Sequence, residues 1–206
     1  MTTFLTIHPI NPQAHLLSKA VVLIKEGSVF VYPTDSGYAL ACRLGDKKAL
    51  ERIRRIRNLD ENHPLTLVCR DLSELSTYAS VSNPVYHILK THTPGPYTFI
   101  LPATREVPRK FMHPKRKTIG LRIPENIIAQ ELLALLDAPL ISTTLTLPDA
   151  EVAFLEAETI RDVLGNQVDL IIDGGSCGLE PTTIVDLSGE TPKIIRKGKG
   201  DIEPFL

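Results

Sequence analysis

The chain has 206 residues, of which 43% are hydrophobic, and a formal net charge of −1 at pH 7. This length allows one sizeable hydrophobic core, so we expect a single domain over residues 1–206. No segment approaches the roughly 20 apolar residues of a membrane-spanning helix, and the N-terminus lacks the basic and apolar regions of a signal peptide. The three cysteines, Cys42, Cys69 and Cys177, show neither zinc-ligand spacing nor a disulfide pattern. We therefore expect a cytoplasmic protein with no membrane partner and no metal site.

Predicted helices and strands alternate along the chain. Asn11-Pro12 is typical of a helix start, because an N-cap residue precedes proline at the first helical position. Asp46, Asp71 and Asn83-Pro84 predict three further helix starts, and later helices are predicted near 126–136 and 157–164. The predicted strands lie at 29–32, 64–69, 97–101, 118–123, 139–145, 168–173, 182–187 and 193–196. This alternation predicts an α/β fold. Because not every connection joins parallel strands through a helix, we expect a mixed β-sheet with flanking helices.

One stretch, VFVYPTDSGYALAC at residues 29–42, interrupts an apolar run with a short polar corner. A tight turn explains Pro33 and Gly37, but it does not explain why Thr34, Asp35 and Ser36 are crowded at a strand end. Similar groups lie near other predicted strand ends, namely Thr98, Arg122, Ser142, Thr143, Thr144, Thr146, Thr182, Thr183, Arg196 and Lys197. Hydroxyl groups donate and accept hydrogen bonds, arginine matches phosphate or carboxylate, and α/β sheets bind ligands at strand ends. The pattern predicts an anion or nucleotide pocket, although threonine is also a common structural residue in strands.

Two basic stretches interrupt the near-neutral charge balance. Residues 43–57 contain seven Lys or Arg against two acids, and residues 105–122 contain seven against one, whereas the segment 149–162 is acidic. The basic stretches favour a local anionic partner such as phosphate or RNA, but either one alone is also typical of a solvated face. We expect RNA to contact the second stretch through Arg109, Lys110, Lys115, Arg116 and Lys117.

Motifs of several enzyme classes are missing from the sequence. It contains no G-x-x-x-x-G-K-[ST] phosphate loop and no G-x-G-x-x-G fingerprint. GGSCG at 174–178 lacks the G-x-S-x-G spacing of a nucleophile elbow, so we interpret it as a glycine-rich turn. No serine, cysteine or lysine has the sequence context of an activated nucleophile. An enzyme with this sequence would therefore act by positioning and electrostatics.

A set of motifs along the chain resembles the YrdC-type threonylcarbamoyl-AMP synthase family, most closely its YciO branch. The motifs are, in order, YPTDSGYAL, RIRNLDENHPLTL, TPGPYTFIL, TIGLRIP, STTLTLP, PTTIVDL and IIRKGKGD. The resemblance implies a twisted α/β sheet with a large, concave, basic cavity. It also implies a reaction in which ATP, L-threonine and bicarbonate form threonylcarbamoyl-AMP and pyrophosphate, the first step towards threonylcarbamoyladenosine in tRNA. ATP would be a substrate, and Mg²⁺ would accompany it.

The same resemblance implies which residues bind substrate or nucleotide. They are Thr34, Arg55, Arg57, Thr98, Arg122, Ser142, Thr144, Thr183 and Arg196. Thr34 would contact threonine, and Arg122 would hold a carboxylate or phosphate. Four members of the set would act in catalysis, namely Arg55, Arg57, Ser142 and Thr144.

Three features depart from the family's motifs. Arg55 stands where the family has lysine, Thr144 stands where it has asparagine, and the loop 58–63 is longer. Arginine and lysine are not interchangeable at a phosphate. Two alternatives to a synthase therefore stay open. One is a paralogue that binds double-stranded RNA or tRNA without synthase activity, and the other is a paralogue that hydrolyses ATP with a different substrate.

Overall fold

The computed structural model describes residues 2–61, 63–146 and 154–206. Its helices are α1 (Ala14–Lys25), α2 (Lys47–Arg57), α3 (Leu72–Tyr78), α4 (Asn83–His92), α5 (Ile127–Leu136) and α6 (Ala157–Leu164). Its strands are β1 (Thr3–Thr6), β2 (Phe30–Thr34), β3 (Gly37–Arg43), β4 (Thr66–Val68), β5 (Tyr97–Pro102), β6 (Thr118–Arg122), β7 (Leu140–Thr144), β8 (Leu170–Asp173), β9 (Thr183–Asp186) and β10 (Lys193–Arg196). The predicted alternation of helices and strands is confirmed.

Two aspartates cap helices at the predicted positions. The Asp46 carboxylate accepts a hydrogen bond from the Ala49 amide at 2.9 Å at the start of α2. The Asp71 carboxylate accepts one from the Glu74 amide at 2.9 Å at the start of α3. Each bond satisfies an amide in the first helical turn that has no partner within the helix.

The predicted start of α1 at Asn11-Pro12 is wrong, because α1 begins at Ala14. His8 organises the preceding segment instead. Its Nδ1 accepts hydrogen bonds from the amides of Ile10 and Asn11 at 3.2 and 3.0 Å. The Asn11 amide is therefore committed to a turn around His8, and the helix starts after that turn.

The ten strands belong to one sheet in the order β1-β8-β2-β3-β7-β4-β6-β5-β9-β10. The pairs β1/β8, β2/β8, β4/β6 and β5/β9 are parallel. The pairs β2/β3, β3/β7, β4/β7, β5/β6 and β9/β10 are antiparallel. The expected α/β class with a mixed sheet is confirmed.

Helices cover the two faces of the sheet unequally. On one face, α1 and α5 bury side chains such as Leu17, Ile24 and Leu132, and these helices contact β2, β3 and β8. The opposite face carries the larger core, which includes Leu50 of α2 and Ile160 of α6. The sheet face that carries α1 and α5 continues beyond β7, where it forms the floor of a cavity. The candidate site therefore lies beside these two helices on the same face of the sheet.

Two features bear on expectations from the sequence. In the described ranges, no helix has the length and apolarity needed to cross a bilayer. Of the acidic segment 149–162, only residues 154–162 are described, and 149–153 lie outside the described residues.

Candidate functional site

Short side chains on one face of the central strands leave a cavity of about 490 Å³. The register places Ser142 of β7 beside Thr66 of β4, and Thr66 beside Gly120 of β6. Paired residues on neighbouring strands project to the same face, so these three form one row. Ser142 and Thr66 line this cavity, whereas Gly120 lines a smaller pocket beside it, where a Cβ would lie 3.3 Å from the Cγ2 of Thr98. The floor of the cavity is therefore sheet, and its shape is set by strand register.

The polar corner between β2 and β3 forms one edge of the cavity. Thr34 Oγ1 donates to the Gly37 carbonyl at 2.6 Å and accepts from the Ser36 amide at 3.2 Å. Gly37 has a φ of 125°, which residues with a side chain rarely adopt. Thr34 and Ser36 are buried and line the cavity. The corner thus combines a glycine-dependent turn with two hydroxyl groups on the cavity wall.

A buried ion pair lies beside this corner. Arg122 Nη2 donates to Asp35 Oδ1 at 2.5 Å, and each side chain is 10% exposed. Arg122 Nε and Asp35 Oδ2 are both buried without a hydrogen-bond partner among the described residues. Unpaired buried polar atoms are rare and costly in folded proteins. Arg122 lines the cavity, whereas Asp35 does not, so Arg122 is the member of the pair that can contact a ligand there.

Arg57 reaches the cavity from the last turn of α2. Its Nε is also buried without a described partner, and burial lowers the pKa of its guanidinium from the usual arginine value. The direction of this shift means that the charged form has lost solvation. The guanidinium stays charged, so an anion in the cavity would compensate for the lost water.

The loop that follows Arg57 is held by a second arginine of α2. Arg54 is buried, and its Nη2 donates to the Glu61 carbonyl at 3.0 Å. Its Nη1 also pairs with Glu51 at 3.1 Å. This loop leads to His63 and Pro64, which line the cavity. Arg54 therefore fixes the loop that forms this edge of the site.

The opposite edge of the cavity is formed by β9 and β10. Arg196 donates to the Thr182 carbonyl through Nε at 3.2 Å and through Nη2 at 2.8 Å. Thr182 Oγ1 lies 2.9 Å from Thr98 Oγ1. Burial lowers the pKa of Arg196, as it does for Arg57. Three guanidinium groups line the cavity, those of Arg57, Arg122 and Arg196, and the described lining residues include no carboxylate.

A smaller pocket of about 110 Å³, which we call the annex, adjoins the cavity. It shares His63, Pro64, Thr66, Thr98 and Ile184 with the cavity. Its apolar walls are Leu65, Ile100, Phe111, Met112, Ile119 and Ile184. The annex therefore extends an arginine-lined cavity into a largely apolar recess under the basic loop 105–117.

The structure brings most of the predicted binding residues together. Thr34, Arg57, Thr98, Arg122, Ser142, Thr144 and Arg196 all line the cavity. They come from five strands and one helix that are far apart in sequence. Their individual roles stay predictions, but their convergence in one cavity is a property of the fold.

Two predicted binding residues, Arg55 and Thr183, do not line the cavity. Arg55 is exposed on α2 and does not line the cavity, because residues two apart on a helix do not share a face with Arg57. Thr183 is fully buried and donates to the Gly200 carbonyl at 2.6 Å. Successive residues of a strand project to opposite faces, so Thr182 occupies the position on the cavity wall.

The basic side chains of the loop 105–117 are exposed, although Val107 and Phe111 of the same loop are buried. Arg109, Lys110, Lys115, Arg116 and Lys117 all have exposed side chains. Arg116 Nη1 also pairs with Asp186 at 3.3 Å, and Lys110 and Arg116 line the annex. Contact of these residues with RNA stays a prediction.

Sequence reasoning missed Thr66 and His63 as lining residues. Thr66 reads as an ordinary strand threonine, and only the pairing of β4 with β6 and β7 brings it beside Ser142. His63 was inside a quoted motif, RIRNLDENHPLTL, but no local pattern marks its side chain as facing a cavity. Both residues lie within that motif, so motif membership was the available signal for each.

The described residues contain no group of three or more His, Cys, Asp or Glu that could hold a metal ion. The cavity lining is basic, and Mg²⁺ prefers oxygen ligands, commonly substrate phosphates and water. The residues present therefore fit Mg²⁺ only as a companion of a bound nucleotide, held by the phosphates.

Comparison with known proteins places the chain among relatives of this architecture. The profile of the Sua5/YciO/YrdC family, described as "Telomere recombination", matches residues 22–198. The "Uncharacterized protein YciO" of Escherichia coli (strain K12) is 54% identical over 206 residues and covers 100% of both chains. The crystal structure of E. coli YciO matches with a TM-score of 0.96 over 100% of both chains.

More distant relatives extend the comparison. The threonylcarbamoyl-AMP synthase of Homo sapiens is 32% identical over 179 residues, which cover 84% of this chain and 63% of that protein. The structure of P. abyssi Sua5 complexed with L-threonine is 24% identical and covers 98% of this chain and 59% of that chain, with a TM-score of 0.90. At this identity the second match supports the fold. Taken with the profile and the YciO match, these findings show that the chain belongs to the Sua5/YciO/YrdC family.

Proposed function

We propose that this protein is a threonylcarbamoyl-AMP synthase, which condenses ATP, L-threonine and bicarbonate in the arginine-lined cavity. The observation that carries the proposal is that Arg57, Arg122 and Arg196 line one cavity, and that Arg57 Nε and Arg122 Nε are buried without a described hydrogen-bond partner. Free N–H groups of arginine suit ligands that present carboxylate or phosphate oxygens. L-threonine presents a carboxylate, and ATP supplies phosphates. The 32% identity to the human synthase supports the same assignment.

The arginines divide between the two ligands in this proposal. Arg122, whose side chain lines the cavity, donates to the threonine carboxylate, and Asp35 holds the Arg122 guanidinium in place. Arg57 and Arg196 lie on other edges of the same cavity and bind the phosphates, since guanidinium groups match phosphate oxygens in pairs. Thr98 and Thr144 add hydroxyl groups to the lining of the same cavity.

The reaction needs no protein nucleophile. The threonine ammonium first loses a proton to solvent, and the amine nitrogen then forms a bond to the bicarbonate carbon while a carbon–oxygen bond of bicarbonate breaks, which releases water and leaves a carbamate. A carbamate oxygen then bonds to the α-phosphorus of ATP, the bond to the β-phosphate oxygen breaks, and pyrophosphate leaves with that electron pair. The described lining residues include no cysteine and no lysine. Their contribution is to align the reactants and to stabilise charge on phosphate oxygens.

The annex suits the base of the nucleotide. Its apolar walls include the side chains of Phe111 and Met112, and aromatic and apolar side chains favour the flat face of a purine. The residues that it shares with the cavity include Thr98 and His63. A nucleotide with its base in the annex would therefore have its phosphates in the arginine-lined cavity.

The test is incubation of the purified protein with ATP, Mg²⁺, bicarbonate and labelled L-threonine. We expect threonine-dependent release of pyrophosphate and formation of labelled threonylcarbamoyl-AMP. Arg57→Ala and Arg122→Ala should each lower the rate about a hundredfold, because each removes charge stabilisation inside the cavity. Arg55→Ala, on the same helix but outside the cavity, is the matched control and should stay within about twofold of the parent. ATP turnover that ignores threonine would favour the ATP-hydrolysing alternative.

RNA binding is a second candidate function. The observation that favours it is that five basic side chains of one loop are exposed, namely Arg109, Lys110, Lys115, Arg116 and Lys117. Such a loop can neutralise several phosphates without reading bases, and binding should then weaken steeply with salt. Replacing Lys115, Arg116 and Lys117 by alanine should flatten the log–log salt dependence by about one unit per lost contact. Lys19→Ala with Lys25→Ala, exposed on α1 and outside both basic stretches, is the control, and unchanged RNA binding in the triple variant would remove the loop from the RNA surface.

A further inference from the structure

We infer that Tyr32 is a positioning residue, whose buried hydroxyl holds the Ser142 hydroxyl as a hydrogen-bond donor towards an anionic oxygen in the cavity. The identity of that oxygen, in ATP or in threonine, rests on the proposed function, but the orientation of Ser142 does not. Tyr32 itself is not among the residues that line the cavity. It therefore acts on a ligand only through Ser142.

The strand order creates the contact between these two residues. Tyr32 lies on β2 and Ser142 on β7, and β3 runs between them. The facing residues of β3 are Ala39, which pairs with Tyr32, and Ala41, which pairs with Ser142. These small side chains leave room for the Tyr32 side chain to extend across β3. Its hydroxyl donates to Ser142 Oγ at 3.1 Å.

Burial sets the direction of this hydrogen bond. Tyr32 is 1% exposed, and Ser142 Oγ is the one acceptor that the described residues give its hydroxyl. If Ser142 donated instead, the Tyr32 proton would be buried without an acceptor, which is costly. Burial also raises the pKa of Tyr32, against the opposing effects of the Ser142 hydrogen bond and the positive charge of Arg122. The Tyr32 hydroxyl therefore keeps its proton at neutral pH and stays a donor.

The fixed bond decides what Ser142 can offer to a ligand. A serine hydroxyl has one proton and two lone pairs, and Tyr32 occupies one lone pair. The Ser142 proton has no acceptor among the described residues, while the side chain lines the cavity. A phosphate or carboxylate oxygen would accept this proton, whereas an ammonium group would leave it unused. The three arginines in the same cavity favour the same class of ligand atom.

The ring and the hydroxyl of Tyr32 have separable roles. The ring packs in the core, with its centroid 5.5 Å from that of Phe30. Phenylalanine at this position would keep that packing and remove only the bond to Ser142. The substitution Tyr32→Phe thus leaves the Ser142 hydroxyl free to rotate. Its proton then points towards the ligand for a smaller fraction of the time, which weakens the hydrogen bond to the ligand.

A double-mutant cycle tests the inference, with Tyr32→Phe, Ser142→Ala and the two combined. Calorimetric titration would use ATP, L-threonine and inorganic pyrophosphate, each as a separate probe. Ser142→Ala should weaken at least one probe about tenfold, as for a hydrogen bond to a charged group. Tyr32→Phe should weaken the same probe about threefold, with no further loss in the Ser142→Ala background. If affinity falls for ATP and pyrophosphate but not for L-threonine, the oxygen that accepts the Ser142 proton belongs to a phosphate. If affinity falls for L-threonine alone, that oxygen belongs to the threonine carboxylate.

Tyr97→Phe is the matched control, because the Tyr97 hydroxyl donates to the Asp201 carbonyl at 3.2 Å and Tyr97 does not line the cavity. Ser142→Cys gives an independent variant, since a thiol is a weak donor, and it should weaken the same probe as Tyr32→Phe. Equal losses from Tyr32→Phe with and without Ser142, or no loss for any probe, would overturn the inference.

The cycle also separates this inference from the proposed function. If pyrophosphate binding shows the non-additive pattern but threonine-dependent pyrophosphate release is absent, Tyr32 still positions Ser142 and the synthase assignment fails. If the release is present but the losses are additive, the synthase assignment stands and the inference about Tyr32 fails. A parent protein that binds none of the three probes would overturn both.

Discussion

The ammonium group of Lys199 donates a hydrogen bond to the carbonyl oxygen of Asp35 at 2.6 Å, across 164 residues of sequence. Asp35 belongs to the polar corner after β2, whereas Lys199 follows β10 at the far edge of the sheet. The segment around Lys199 is held by Thr183 Oγ1, which accepts from the Gly198 amide at 3.0 Å and donates to the Gly200 carbonyl at 2.6 Å. The contact therefore ties the two edges of the cavity to each other.

Replacing Lys199 by methionine should raise the KM for threonine about three- to tenfold, because the polar corner loses an external hydrogen bond from a charged donor. Lys199 is exposed, so we expect the free energy of unfolding to change by less than about 0.5 kcal/mol. Lys197→Met, on the same segment, is the control for the loss of charge. Steady-state kinetics and urea unfolding measure the two quantities. If the KM for threonine is the same in Lys199→Met as in Lys197→Met, the hydrogen bond from Lys199 does not support the polar corner at Asp35.

The buried Arg122–Asp35 pair should matter more for stability than an exposed pair. Asp35→Ala leaves the Arg122 charge in a buried site without its partner, and we expect a loss of about 3 kcal/mol in the free energy of unfolding. Arg116→Met removes the Arg116–Asp186 pair, in which Arg116 is 53% exposed, and it should cost at most about 1 kcal/mol. Urea unfolding of both variants measures the difference. A loss for Asp35→Ala no larger than that for Arg116→Met would contradict this account.

Gly198 lies where no side chain fits. A Cβ there would overlap the Pro181 carbonyl oxygen, so Gly198→Ala must displace backbone beside Thr182. We expect a loss of about 2 kcal/mol or more from this overpacking, together with lower activity. Gly189→Ala is the control, since its nearest atom would be 3.9 Å away. Thermal and urea unfolding would test the pair, and equal stability of both variants would disprove the steric argument.

Cys177 should react slowly with alkylating reagents at neutral pH. Burial raises the pKa of its thiol to about 11, so the reactive thiolate is scarce below that pH. The alkylation rate should increase about tenfold per pH unit between pH 7 and 10, and at pH 7 it should be about a hundredfold below that of an ordinary thiol. Mass spectrometry after iodoacetamide treatment measures the rate, with N-acetylcysteine as the control. A rate that levels off below pH 9 would refute the raised pKa.

The two motif departures should differ in their effect on synthesis. Thr144 lines the cavity and Arg55 does not, so Thr144→Asn should change threonylcarbamoyl-AMP formation, whereas Arg55→Lys alone should leave it within about twofold. We expect Thr144→Asn to raise the rate more than it changes ATP affinity, because a misplaced phosphate affects turnover before binding. Product formation and ATP titration separate these effects. If Thr144→Asn raises product formation only when it is combined with Arg55→Lys, residue 55 must reach the ligand despite its exposed position.

Local patterns predicted most of the fold. Runs such as TIGLRI and VDLIID became β6 and β8, and Asn83-Pro84 does begin α4, although Ser82 takes the N-cap position. The start of α1 was misplaced because the chain around Asn11 turns about His8, a contact that local propensity does not encode. Strand β1 was not predicted, because four residues show too little alternation and their pairing partner, β8, lies at the other end of the chain.

The candidate site was predictable only where a residue carries its own signal. Thr34 and Ser142 stood out because polar side chains follow apolar runs at strand ends. The role of Tyr32 depends on the strand order β2-β3-β7 and on two alanines between the partners. That order is a property of the whole sheet, so no pattern near Tyr32 could reveal it. Arg55 and Arg57 looked equivalent in the motif, and only the helix geometry separates them.

The construction of the cavity floor from paired strands has a kinetic consequence. Ser142 and Thr66 cannot change their spacing without breaking ladder hydrogen bonds between β4 and β7, so we expect the floor to keep its shape when a ligand binds. The rim, in contrast, is made of the loop after Arg57 and the segment that carries Lys199. Exchange of ligand with solvent must pass this rim. Substitutions in the floor should therefore change how tightly a ligand is held, and substitutions in the rim should change how fast it enters and leaves.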